Sequence, residues 1–237
     1  MKAASKAGWT GVLAALAAHW VFAQATLPAR YTGPWEYSTP PAGWTFTGLG
    51  IDYLPGYDGL GDGAAKLDGT GDFIAIHFSS APGAVTYWVA GNTFSGGTFR
   101  VDQSVDGTNW TALQTYTQLA AVATFRTNAT SPEARHLRFH YAEKVTGNVG
   151  VDDITVAAFV LPEIGSVAVA GRDAAITVPE TVVGRTYRLE HADALATNPV
   201  AWTPDDVEMG STNALVFHDL APSNTVLRYY RVLDATP

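Results

Sequence analysis

Downstream of residue 25 the apolar residues of this chain alternate. In Phe73-Ile74-Ala75-Ile76-His77-Phe78, the residues Ile74, Ile76 and Phe78 share one face, and Val85, Tyr87 and Val89 repeat the pattern. Phe99, Val101 and Gln103 do so again, as do Leu137, Phe139 and Tyr141 opposite His136, Arg138 and His140. A period of two marks a half-buried strand, because successive strand side chains point to opposite faces. No 3.6-residue period of useful length competes with it. Turn residues such as Gly96-Gly97 and Asp106-Gly107 separate the runs, so neighbouring strands are expected to pair antiparallel as hairpins. The expected class is all-β, built as a sandwich.

A boundary is expected near Val160-Leu161-Pro162-Glu163. The run from Ile154 to Val160 closes one module, and Pro162 cannot continue a central strand. Residues 26–160 then form a jelly-roll β-sandwich. Residues 161–237 carry their own runs at 174–178, 187–191, 214–218 and 227–233, which suits a smaller immunoglobulin- or fibronectin-like sandwich. Asn109-Trp110-Thr111 and Ala201-Trp202-Thr203 are a loose echo between the two parts, too short to define a repeat. With 0 cysteines, stability must come from the cores, and thiolate zinc sites, iron–sulfur clusters and cysteine nucleophiles are excluded.

Residues 1–25 read as a signal peptide. Lys2 and Lys6 precede an apolar run from Trp9 to Phe22, and small residues at Ala23 and Ala25 offer cleavage after either. The run is shorter than the roughly 20 residues of a membrane span and is interrupted by His19. The mature chain is therefore expected to be secreted, at the cell surface or in the periplasm, without membrane insertion. Without Lys2 and Lys6 the 14 basic residues become 12 against 22 acidic ones, and the formal charge moves from −8 to −10. Such a surface repels phosphate backbones, so nucleic acid is not an expected partner.

Several segments of residues 31–160 resemble known modules. Glu36 followed by Pro41-Ala42-Gly43-Trp44, the stretch Leu67-Asp68-Gly69-Thr70-Gly71-Asp72-Phe73-Ile74, and Gly147-Asn148-Val149-Gly150-Val151-Asp152-Asp153-Ile154 are similar to the opening, second strand and close of MAM-like and "choice-of-anchor" jelly rolls. Ser104-Val105-Asp106-Gly107-Thr108-Asn109-Trp110 and Arg135-His136-Leu137-Arg138-Phe139 are similar to discoidin-type modules, which are also jelly-roll sandwiches. Tyr187-Arg188-Leu189-Glu190 and Tyr229-Tyr230-Arg231-Val232 look like the small accessory β-modules that end many bacterial exported proteins. Unlike eukaryotic MAM modules, this chain lacks every cysteine.

The acidic pair is the sharpest candidate site. In a regular strand Asp153 shares a face with Val149 and Val151, and Asp152 with Ile154 and Val156, so one carboxylate points inward. A buried carboxylate is costly unless bound by N–H groups or a metal. In MAM-like modules such an aspartate helps hold a cation near the N-terminal strand, and that resemblance places Glu36, Asp68 and Asp153 around a structural Ca²⁺, with Asp72 in reserve. The competing role is turn capping and acceptance of backbone N–H bonds.

Other constellations read as ordinary. His136 and His140 on a strand are about 13 Å apart and cannot chelate one ion, while His77, His191 and His218 look isolated. Trp110 is expected to pack on a core and the Asp58–Gly63 loop to be a turn. There is no G-x-S-x-G, H-E-x-x-H or P-loop. The expected function is therefore non-catalytic binding, adhesion or surface assembly, with a glycan or a surface protein as partner. Trp35, Trp44, Trp88, Trp110, Trp202, Tyr53 and Tyr57 keep a carbohydrate-binding protein as the alternative, because a pyranose face stacks on aromatic rings. A polysaccharide-active enzyme is a further alternative, and paired carboxylates in a groove would mark it.

Overall fold

The computed structural model describes residues 23–36, 38–53, 56–59, 63–195, 199–211, 213–220 and 227–236. Residues 1–22 of the expected signal peptide lie outside them. Every regular element among the described residues is a strand, as the alternation predicts. No helix among them is long and apolar enough to cross a membrane.

Ten strands build the first part: β1 (Ala29–Tyr31), β2 (Trp44–Thr47), β3 (Leu49–Tyr53), β4 (Ala64–Leu67), β5 (Phe73–His77), β6 (Pro82–Ser104), β7 (Thr111–Gln118), β8 (Thr124–Ala129), β9 (His136–Glu143) and β10 (Thr146–Ala158). The 23-residue β6 belongs to two sheets. Its first half pairs with β8 and β10, and its second half with β7 and β9. One sheet therefore runs β8-β6-β10-β4-β3, with β1 beside the end of β10, and the other runs β2-β5-β9-β6-β7. The strand changes sheet around Thr93 and Gly96, at φ 56° and 75°. Gly147 lies against this bend, and a Cβ there would fall 2.3 Å from the Asn92 carbonyl oxygen, so only glycine fits.

The two sheets enclose one core. Val85, Val89, Val149, Val151 and Ile154 face Ile74, Ile76, Leu137, Phe99 and Val101, all buried, and the Tyr87 and Phe139 rings meet edge-on at 5.0 Å. Each large apolar side chain so buried contributes about 1.5–3 kcal/mol, the main stabilisation open to a chain without disulfides.

Six strands build the second part: β11 (Ser166–Ala170), β12 (Asp173–Val178), β13 (Thr186–Ala192), β14 (Thr203–Met209), β15 (Leu215–Leu220) and β16 (Tyr229–Asp234). Sheets β11-β12-β15 and β14-β13-β16 close on Ile176, Val178 and Phe217 from one side and Tyr187, Leu189 and Val232 from the other. This is the smaller sandwich that follows the larger one.

Arg185 fastens the two parts together. Its side chain is nearly fully buried, donates to the carbonyl oxygens of Gly83 (3.1 Å) and Thr130, pairs with Asp234, and lies 5.1 Å from the Phe159 ring. Burial alone would raise the Asp234 carboxyl; hydrogen bonds from Arg185 and Thr236 outweigh it and hold the group below its usual range.

The start of the described chain is also built in. Ala25 is buried, its N–H donates to the His77 carbonyl at 2.7 Å, and it bridges to Phe78. Cleavage after Ala23 preserves these contacts, whereas cleavage after Ala25 removes them. Intact-mass analysis of the exported protein is expected to give Gln24 as the first residue; a start at Thr26 would contradict this packing.

Candidate functional site

The alternation of β10 breaks at the acidic pair. Val149 and Val151 are buried, and the next core residues are Ile154 and Val156, so one extra residue has been inserted. The register with β6 shifts between Asp152 and Thr155, and Asp153 takes a φ of 49°. This is a β-bulge. The expectation of one inward and one outward carboxylate rested on a regular strand; the bulge buries both, leaving Asp152 0% and Asp153 7% exposed. Asp152 Oδ1 accepts from Trp35 Nε1 (3.3 Å) and Oδ2 from the Gly59 N–H (3.0 Å). Burial pushes the Asp152 carboxyl above the usual carboxylate range, against hydrogen bonds from the Gly59 and Asp153 backbone. Asp153 Oδ1 lies 3.4 Å from the Arg30 guanidinium. Gly59 closes on this pair so tightly that a Cβ would fall 2.3 Å from the Trp88 ring and 2.6 Å from Asp153 Oδ2. Leu60, Gly61 and Asp62 of the same loop lie outside the described residues.

The other expected ligands lie elsewhere. Glu36 borders a cleft of about 430 Å³ and sits near Asp52, which accepts from the Trp35 backbone N–H at 2.9 Å. Asp68 pairs with Lys66 at 3.1 Å. Asp72 accepts from the backbone N–H groups of Asp68 (2.8 Å) and Gly69 (2.5 Å), a turn-capping role. Glu36, Asp68 and Asp153 do not form a group with ligand atoms within 4.8 Å of one another. Among the described residues, the one group of three His, Asp or Glu side chains with ligand atoms within 4.8 Å of each other is His191, Asp205 and Asp219.

That group corrects the view of His191 as isolated. His191 Nδ1 lies 2.7 and 2.8 Å from the two Asp205 oxygens, and Asp219 accepts from Tyr230 Oη (2.9 Å) and Arg228. These side chains come from β13, β14, β15 and the start of β16, and they tie the two small sheets together at one end of their core. His218 and Asp173 form a second, exposed pair at 3.0 Å. Nothing in the spacing of 14 and 28 residues marks these partners; the sheet register brings them together.

The outer sheet faces carry a constellation that the local sequence pattern understated. On the first sandwich, Asp102 lies directly opposite Arg138, with Arg138 Nη2 at 2.8 Å and Arg100 Nε at 3.5 Å. The Arg138 guanidinium sits 4.2 Å from the Trp110 ring centroid, a cation–π contact. Trp110 is therefore half-buried on the outer face and does not pack on a core. On the second sandwich, Glu190 lies directly opposite Arg231 and accepts from its Nε (2.8 Å) and Nη2 (2.6 Å), while Arg188 Nη2 is 2.7 Å away. Arg231 sits 4.3 Å from the Trp202 ring.

The registers agree as well. Asp102 faces Ala112 and Gln103 faces Thr111, with a bulge before Asp102; Glu190 faces Pro204 and His191 faces Thr203, with a bulge before Glu190. The echo of Trp110-Thr111 in Trp202-Thr203 is thus a repeated three-strand element.

No family model matches the chain, and no curated protein matches it at a significant level. Among solved structures it is similar to the K2 cleaved adhesin domain of Lys-gingipain, with TM-score 0.44 and 17% identity over 55% of this chain and 99% of that one. It is similar to the K1 cleaved adhesin domain of Lys-gingipain from Porphyromonas gingivalis W83, with TM-score 0.42 and 17% identity over 56% and 99%. A β-1,2-glucanase from Parabacteroides distasonis gives TM-score 0.31 and 14% identity over 89% of this chain and 34% of that one.

The first outer face also predicts a pH response. His77 and His136 stack at 4.4 Å and 5°, and His140 lies beside Arg100. Desolvation, with the neighbouring His77, pushes His136 below its usual pKa against the pull of Asp106; desolvation, with Arg138 and Arg100, does the same for His140 against Asp102. Both groups bind protons more readily when unfolded, so stability is lost as pH falls below the ordinary histidine value of 6.5. The melting temperature is expected to fall by a few degrees between pH 7 and pH 5, and the variant carrying His136→Gln and His140→Gln to fall less. Equal slopes in thermal scans would contradict this.

Proposed function

We propose that this chain is an exported, non-catalytic binding module acting outside the cell in adhesion or surface assembly, with residues 26–160 and 161–237 as its two domains. One observation carries the reading: both sandwiches present the same Arg–carboxylate–Arg and Trp constellation on an outer sheet face. Its guanidiniums hold their carboxylate so fully that Asp102 is 1% and Glu190 4% exposed. Arginine and tryptophan are both enriched among the residues that make contacts at binding interfaces. The purified chain is expected to retain a glycan or surface protein without altering it. Turnover of a polysaccharide, abolished by one carboxylate substitution, would overturn the reading.

A structural Ca²⁺ at the acidic close belongs to the same proposal. Its support is the buried like-charged pair, which a cation would relieve. In this reading Asp153, whose Oδ1 lies 3.4 Å from the Arg30 guanidinium, is the carboxylate ligand, with carbonyl oxygens completing the shell. An ion bound only by the folded state adds about 2.7 kcal/mol at a hundredfold excess over Kd. Millimolar Ca²⁺ is expected to raise the melting temperature, chelator to lower it, and Asp153→Asn to erase the difference; identical melting with and without chelator would leave Asp153 as a backbone-bound residue.

A further inference from the structure

We infer that the two outer-face clusters, Arg100–Asp102–Arg138 with Trp110 and Arg188–Glu190–Arg231 with Trp202, are two equivalent subsites for an anionic glycan, one on each sandwich. The inference rests on the binding-module reading above and names its ligand class.

Charge is the first reason. The chain carries a net −8, yet each cluster sets two guanidiniums against a single carboxylate, a local excess of one positive charge. Histidines 77, 136 and 140 adjoin the first, and the nearest further carboxylate, Asp106, acts on His136.

Hydrogen-bond capacity is the second. A guanidinium has five N–H donors in a rigid fork. The internal carboxylates engage only part of each fork: Asp102 takes Nη2 of Arg138 and lies 3.5 Å from Nε of Arg100, and Glu190 takes Nη2 of Arg188 with Nε and Nη2 of Arg231. The side chains keep between 18% (Arg138) and 40% (Arg231) of their surface in water, where a carboxylate or sulfate oxygen can reach the outer nitrogens.

Aromatic surface is the third. Each cluster is edged by an indole whose ring centre lies 4.2 or 4.3 Å from one guanidinium, and a sugar ring offers an apolar face to such a surface beside its acidic group. Repetition is the fourth. Placing the same residue types in the same register, bulge included, on two different sandwiches fits one recognition element used twice.

A uronate carboxylate and a sulfate ester share the required chemistry, so the test uses both. Trigalacturonate, a heparin-derived tetrasaccharide and neutral maltotriose are titrated into the mature chain by calorimetry at low and high salt. Two anionic oligosaccharides per chain are expected, weakening as salt shortens the screening length to about 3 Å at 1 M, with no uptake of maltotriose. The relative strength of the two anions identifies the source. Arg100→Gln leaves Asp102 paired with Arg138, and Arg188→Gln leaves Glu190 paired with Arg231, so each is expected to fold. Each should reduce the stoichiometry from two to one, or weaken one site about tenfold, the scale of one charged hydrogen bond; the double variant should lose both. Arg172→Gln, an exposed arginine elsewhere, should change nothing. Asp102→Asn, which removes the neutralising charge, should tighten the first site, an effect that a merely structural ladder does not produce. Absent binding of either anion, or binding unchanged in the double variant, overturns the inference. Capture of a protein or a neutral glycan by the double variant would do so too, while leaving the binding-module reading standing.

Discussion

One strand held in two sheets is the constraint on which the rest of this structure depends. Because β6 pairs with β10 through its first half and with β9 through its second, its hydrogen-bond register sets what each sheet presents. The first half places Trp88 beside the bulge that buries Asp152 and Asp153. The second half aligns Arg100, Asp102 and Ser104 against His140, Arg138 and His136, which composes the outer face. A one-residue slip of β6 would turn the Val85–Tyr87–Val89 row to solvent and Arg100 into the core. The apolar stabilisation of the sandwich and the identity of its surface are therefore one choice.

The two carboxylate arrangements are physically different. At the close of β10, Asp152 is held by neutral N–H donors in a buried setting, and burial raises its pKa. In the outer clusters each carboxylate is shared by two guanidiniums, which oppose its charge directly. Strong geometry and excess positive charge favour the outer clusters as recognition surfaces, and the cradle as a structural feature.

Much of the architecture was legible in the sequence, because a period of two and glycine-rich turns leave few alternatives to antiparallel sandwiches. Strand runs at Ile74–Phe78 and Leu137–Tyr141 appear where the alternation places them. The acidic pair was legible as unusual but not as a bulge, since positive φ at a non-glycine residue has no local signature in Val151-Asp152-Asp153-Ile154. The individual contacts of Asp68 with Lys66 and of Asp153 with Arg30 were hidden as well, since the second joins residues 123 apart in sequence and the first depends on how the strand presents its side chains. Trp110 looked like a core residue because nothing near it in sequence marks its partner; Arg138 lies 28 residues on. The Trp-Thr echo was too short to weigh until the registers of β7 and β14 showed that in both copies the residue after the threonine faces a buried acid.

The most direct test of this account is hydrogen–deuterium exchange of the mature chain with and without saturating trigalacturonate. Protection should appear in the second half of β6, in β9, in β13 and in β16, while residues 147–156 exchange as before. Protection confined to residues 147–156, or to the cleft beside Glu36, would contradict it and return the site to the acidic close.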